Sequence, residues 1–117
     1  MIIAVEGTKA FDDYEVFMRA MGVALSADYV DSKIEIWSGG PQNINRFTAA
    51  FCNSSENYLR QKGFKISFKR FPINYISQNI GMVDYFAFFA KPNQKNAESR
   101  LIPMAEYYSV ETGIYKY

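Results

Sequence analysis

Apolar positions along the chain fall into two kinds of pattern, short continuous or alternating runs and longer stretches with a period near 3.6 residues. Ile2 to Val5 is a continuous, partly β-branched run, as in a strand buried on both faces of a parallel sheet, and Glu6-Gly7-Thr8-Lys9 ends it as a turn. Asp12 to Glu15 reads as a helix start, with Asp12 as N-cap and Glu15 at the reciprocal capping-box position. Tyr14, Phe17, Met18, Met21 and Leu25 follow along one helical face. Lys33 to Ser38 alternates, with Ile34 and Ile36 on one side and Glu35 and Trp37 on the other, which predicts a strand with one face less deeply buried. Ser38-Gly39-Gly40-Pro41 breaks that strand. A helix of about twenty residues follows, carrying Ile44, Phe47, Phe51 and Tyr58 on its apolar face and ending at Gly63.

Phe64, Ile66 and Phe68 alternate with Lys65, Ser67 and Lys69, the pattern of an edge strand whose lysines discourage edge-to-edge pairing. Phe71 to Tyr75 reads as a loop and Ser77 to Val83 as a short helix or turn. Asp84 to Ala90 is the most apolar segment and reads as a central strand, followed by a polar loop from Pro92 to Glu98. Leu101 to Thr112 is expected to be a helix that admits Pro103 near its start, ended by Gly113, with a last short strand over Ile114 to Tyr117. Strands and helices alternating in this way predict one domain, residues 1–117. Its expected architecture is a three-layer, open and mainly parallel α/β sheet with helices on both faces.

Composition narrows the chemistry. The chain has 117 residues, enough to bury a core, with a single cysteine, Cys52, and no histidine. One cysteine cannot make an internal disulfide, so a reduced, cytoplasmic setting is expected, with Cys52 a buried structural thiol. Without histidine there is no Ser-His-Asp or Cys-His nucleophile and no imidazole base. The net charge of +1 argues against a protein that coats nucleic acid. Lys65, Lys69 and Arg70 make a small basic strip beside Phe68 and Phe71, for which edge protection is a sufficient account. The opening apolar run is far too short for a signal core or a membrane span. Aromatic residues are 17% of the chain, and the nine tyrosines exceed what a core needs, so an interface, with a homo-oligomer expected, or a pocket rim should hold some of them. Tyr107, Tyr108, Tyr115 and Tyr117 are the candidates.

In open α/β sheets the ligand crevice lies beyond the carboxyl ends of the strands. Two glycine-bearing turns belong there: Gly7-Thr8-Lys9 and Ser38-Gly39-Gly40. Glycine admits close backbone approach, and the N–H groups of the following helix favour phosphate or carboxylate, while Thr8, Lys9 and Ser38 add a cation and two hydroxyls. Glycine for turn geometry alone accounts for the same spacing, and neither turn is a Walker or dinucleotide loop. Glu6, at the end of a buried strand, is the carboxylate most suited to general-base work. Asp12, Asp13 and Glu15 are better explained by helix capping than by metal binding.

Gly7-Thr8-Lys9-Ala10-Phe11-Asp12-Asp13-Tyr14 resembles the opening of the YspA-like branch of the SLOG superfamily, the Rossmann-like group that also holds the LOG nucleotide hydrolases. Four further segments fall in register with that branch. Ser38-Gly39-Gly40 sits at its glycine turn, Phe71-Pro72-Ile73-Asn74-Tyr75 at its Phe-Pro segment, Asn79-Ile80-Gly81-Met82 at its Asn-x-x-Met, and the apolar strand follows. Departures are Asn43 and Asn45 at the second turn glycine and the acidic position, Asn74 and Tyr75 for Asp and Trp, Gln78 for Arg, and no glycine-rich phosphate loop after the fourth strand.

The resemblance, which spans roughly residues 2 to 92, implies a Rossmann-like fold and a nucleotide or nucleotide-derived ligand. Its crevice would be formed by Gly7, Thr8, Lys9, Ser38, Gly39, Gly40, Asn43, Asn45 and Asn79. Asparagine in place of aspartate removes negative charge, which suits a polyanion, with Lys9, Arg46 and Lys91 near the rim; helix capping by Asn43 and Asn45 is the competing account. The missing phosphate loop favours a non-catalytic binding module without cofactor or metal. A protein-interaction or inhibitor protein with a degenerate crevice, and a small nucleotide hydrolase using Glu6, are the alternatives. The size and the Asn/Tyr-rich texture suit a bacteriophage accessory protein working in the host cytoplasm.

Overall fold

The short apolar runs and the amphipathic stretches assemble into β1 (Ile2–Gly7), α1 (Tyr14–Leu25), β2 (Lys33–Ser38), α2 (Gln42–Gln61), β3 (Lys65–Arg70), α3 (Ile73–Gln78), β4 (Tyr85–Ala90), α4 (Ile102–Tyr107) and β5 (Glu111–Lys116). Single 3-10 turns lie at Ile80–Met82 and Asn96–Glu98. The computed structural model describes residues 1–26 and 31–117. The five strands are all parallel, in the order β3-β2-β1-β4-β5, giving a Rossmann-like open three-layer fold.

Alternation along each strand divides the core in two. Ile3 and Val5 of β1, Ile34 and Ile36 of β2 and Ile66 of β3 meet Phe17 and Met21 of α1 and Ile44 and Phe51 of α2. On the opposite face Ala4, Trp37, Phe86 and Phe88 meet Ile76 of α3 and Ile102 and Ala105 of α4. All six residues of β4 are buried, which explains why that segment reads as continuously apolar.

Several expectations shift. β1 runs on through Glu6 and Gly7, because Gly7 stays in register with Phe89 and the Thr8 N–H donates to the Phe89 carbonyl at 2.9 Å. The N-cap of α1 is Asp13 rather than Asp12: its carboxylate accepts from the Val16 N–H at 3.1 Å. Asp12 instead pairs with Lys91, and Glu15 with Arg19, so no capping box forms. The buried face of α1 carries Val16, Phe17, Ala20, Met21 and Ala24, leaving Met18 exposed. Tyr58 likewise lies outside the buried face of α2. Gly63, at φ +89°, closes α2 as expected.

Tyr75 belongs to a helix, since α3 starts at Ile73 immediately after Pro72. The largest departure is at the C-terminus. The expected helix over Leu101 to Thr112 is only the six residues of α4; Ser109, at φ +56°, turns the chain, and Gly113 sits inside β5 instead of ending a helix. The reason is a cross-strand contact: the Tyr85 and Tyr115 hydroxyls bond at 2.7 Å, and a Cβ on Gly113 would collide with both side chains. Tyr115, stacked on Phe89 at 5.3 Å, is therefore packed against the core, unlike exposed Tyr107, Tyr108 and Tyr117.

Candidate functional site

The sheet order places the topological switch point between β1 and β4: the chain leaves β1 toward β2 and β3 on one side, then crosses back to β4 on the other. In such sheets ligands bind beyond the carboxyl ends of the two central strands. A shallow cleft of about 480 Å³ lies there, lined by Gly7, Thr8, Lys9, Ala10, Pro41, Gln94 and Glu98.

Gly7 leaves no room for a side chain, since an added Cβ would lie 2.6 Å from Cδ1 of Ile44 and 3.0 Å from the Phe89 carbonyl oxygen. Its smallness lets the first turn of α2 close onto the end of β1. The next residue reaches across the switch point. Thr8 Oγ1 donates to Gln94 Oε1 at 2.5 Å, and the same oxygen accepts from the Lys91 N–H at 2.8 Å. That arrangement spends the Gln94 carbonyl and leaves its amide nitrogen without a partner among the described residues. Lys9 is exposed and makes no ion pair among those residues, while Glu98 stands on the rim. The cleft thus presents one cation, one amide donor and one carboxylate.

The second turn supports the first rather than lining the cleft. Buried Ser38 donates through Oγ to Asn45 Oδ1 at 2.6 Å and accepts from the Gly40 N–H at 3.3 Å. Gly39 leaves space for Ile73 and Ile76 of α3, with which an added Cβ would collide, and Gly40 takes φ +88°. Asn43 donates through Nδ2 to the carbonyls of Thr8, at 3.1 Å, and Phe11, at 2.8 Å, so it binds the β1–α1 loop to α2. The structure therefore brings Gly7–Lys9 and Gly39–Asn45 together, with Gly7, Thr8 and Lys9 at the cleft. Asn79 stands apart: its amide donates to the Tyr75 carbonyl at 2.9 Å at the end of α3. Arg46 lies in a separate hollow with Arg70, and Lys91 is held by Asp12. That ammonium holds the Asp12 carboxyl below its ordinary range.

Glu6 points away from the cleft, toward the start of α4. Only 5% exposed, it accepts from the Ser99 hydroxyl, from the Arg100 N–H at 2.9 Å and from the Leu101 N–H at 3.4 Å. Ser99 Oγ in turn accepts from the N–H groups of Leu101, at 3.1 Å, and Ile102, at 2.9 Å. Glu6 thereby anchors the β4–α4 segment through a buried polar network.

Sequence reasoning passed over Gln94 and Glu98 as members of a polar loop. The signal for them was positional: they follow β4, the strand across the switch point from β1. Among the described residues no group of His, Cys, Asp and Glu could hold a metal, and no helix is long and apolar enough to cross a membrane. No family model matches this chain, and neither a curated protein nor a solved structure matches it.

Proposed function

We propose that the chain is a non-catalytic binding module for a nucleotide or nucleotide-derived ligand, held in the cleft between the ends of β1 and β4. The observation that carries this reading is the position of that cleft, at the switch point of an open parallel sheet, with Lys9 and the Gln94 amide facing it. The Lys9 ammonium suits a phosphate, and the Gln94 amide suits a carbonyl or ring nitrogen of a base. The resemblance of the opening turn to the YspA-like SLOG branch supports the same ligand class. A hydrolytic role for Glu6 has less support, because its carboxylate is buried and engaged by three donors.

A second reading, that of an interaction protein, rests on Tyr107, Tyr108 and Met82, which are 79%, 52% and 58% exposed. A thermal-shift panel of nucleotides and cyclic nucleotides separates the two. A ligand at about 100 times its Kd stabilises the fold by about 2.7 kcal/mol. Lys9→Ala and Gln94→Ala are expected to weaken that ligand about tenfold each. No shift with any nucleotide, alongside a stable complex with a protein that is lost in Tyr107→Ala, would replace the first reading by the second.

A further inference from the structure

Away from the cleft, the far edge of the sheet carries a surface of different chemistry. On the α3/α4 side, β2 and β3 expose an open groove of about 260 Å³ lined by Lys33, Ile34, Glu35, Lys65, Ser67 and Lys69. The parallel register sets Lys33 beside Lys65, Glu35 beside Ser67 and Lys69 beside Trp37. Neighbouring like charges across two strands cost stability, and neither Lys33 nor Lys65 makes an ion pair among the described residues. Asp31, close to Lys33, is bound to the N-terminal ammonium. Among the described residues Glu35 is the one carboxylate lining the groove.

Edge protection explains lysines on β3, but not Lys33, which stands on the interior strand β2. The wider charge distribution points the same way. Residues 31–71 hold seven Lys and Arg against three Asp and Glu, whereas the rest of the chain holds six against nine. Of the seven, Lys33, Lys65 and Lys69 line the groove, while Arg46 and Arg60 belong to α2, Lys62 is its C-cap and Arg70 shares the hollow of Arg46. At the C-terminal end of the groove the rings of Phe71 and Tyr75 lie 4.3 Å apart, tilted by 34°, and Trp37 packs against both. Tyr75 remains 42% exposed.

We propose that this face is a docking surface for single-stranded nucleic acid, with phosphates on Lys33, Lys65 and Lys69 and a base stacked on Tyr75. From Lys65 to Lys69 the strip is about 13 Å long, about two phosphate-to-phosphate spacings of an extended strand, so about three successive phosphates fit along it. A buttressed, half-exposed ring beside cations is the arrangement that binds unpaired bases without sequence preference. A duplex suits the surface less well, because its bases are already stacked on one another and offer no unpaired face to Tyr75. The site is separate from the β1/β4 cleft and does not depend on what that cleft binds.

The test is fluorescence anisotropy of a labelled oligothymidylate of about twenty nucleotides with the full chain. Micromolar binding is expected at low salt, falling about 20-fold between about 50 and 200 mM salt if three phosphates are neutralised. The double variant Lys65→Glu, Lys69→Glu should abolish binding while its melting curve stays cooperative. Tyr75→Ala should weaken binding about tenfold with the salt dependence unchanged, and Tyr75→Phe should restore it. Lys9→Ala should leave it intact. No binding at low salt would overturn the proposal, as would wild-type affinity in Tyr75→Ala or equal affinity for an oligoglutamate of the same label. So would an equal loss from Lys95→Glu and Lys116→Glu, which lie outside the strip.

Discussion

The side-chain amide of Asn43, in the first turn of α2, sits 2.8 Å from the carbonyl oxygen of Phe11, ahead of α1, and also reaches the Thr8 carbonyl at 3.1 Å. One side chain thus ties the loop bearing Thr8 and Lys9 to the second glycine turn. Both bonds need a donor. Asn43→Asp would place a carboxylate against two carbonyl oxygens, and it is expected to cost about 2 kcal/mol or more, against about 1–2 kcal/mol for Asn43→Ala. Asn45 uses its side chain oppositely, as acceptor from Ser38, so Asn45→Asp should change stability by less than about 0.5 kcal/mol. Denaturant melts of the three variants check the order; equal losses for Asn43→Asp and Asn45→Asp would contradict it.

Gly7 and Ile44 make a second testable pair. Gly7→Ala forces a methyl group against Ile44 Cδ1, for an expected loss of about 1–3 kcal/mol. Adding Ile44→Val shortens the opposing side chain and should recover part of that loss. A strictly additive double variant would show that the contact with the Phe89 carbonyl, not Ile44, sets the cost.

Gly113, Tyr85 and Tyr115 form a cross-strand lock between β4 and β5. Gly113→Ala is expected to destabilise by about 1–3 kcal/mol because the added methyl group would fall on the Tyr85 hydroxyl and the Tyr115 ring. Tyr115→Phe removes one hydroxyl and leaves that of Tyr85 unpaired in the core, for about 1 kcal/mol. The double variant Tyr85→Phe, Tyr115→Phe should be no worse than Tyr115→Phe alone, which urea melts would resolve.

Alkaline pH should loosen the fold. Burial, with the Glu56 charge adding to it, pushes the Cys52 thiol up to about 11; burial and the hydrogen bond with Tyr115 raise Tyr85 above the ordinary tyrosine range. The unfolded chain ionises these groups first, near pH 8.5 and 10, so each contributes full stability below those values. That stability is lost as pH rises toward the folded-state values. The expected outcome is a Tm that declines from about pH 8.5 upward, with a smaller decline in Cys52→Ala. Cys52 should also react slowly with a thiol reagent at pH 8 unless the chain is unfolded.

Much of the architecture was legible locally. The continuous apolar run over Tyr85–Ala90, the alternation over Lys65–Arg70 and the long amphipathic stretch ending at Gly63 each appear where their periods place them. Those patterns arise from neighbours within one helical turn or one strand repeat, and the sequence carries them directly. The C-terminal segment misled because Gly113 read as a helix stop, when its role is set by Tyr85, which lies 28 residues earlier and is placed beside it by the strand pairing.

The candidate site divides along the same line. The glycine turns could be seen as turns, and their meeting was a consequence of parallel order. Glu6 read as a candidate general base at the end of a buried strand because Ser99, which engages it, lies 93 positions away in sequence. Gln94 became part of the cleft only through its bond to Thr8 across the switch point. The basic edge shows the same division most clearly: Lys33 and Lys65 belong to different segments, and only strand pairing sets them side by side. Sequence by itself determined the strands and helices up to β4, apart from the start of α3, and which chemical groups are present. Tertiary structure decided which groups are spent on one another and which still face solvent, because hydrogen bonding and charge depend on distances that the order of strands alone establishes.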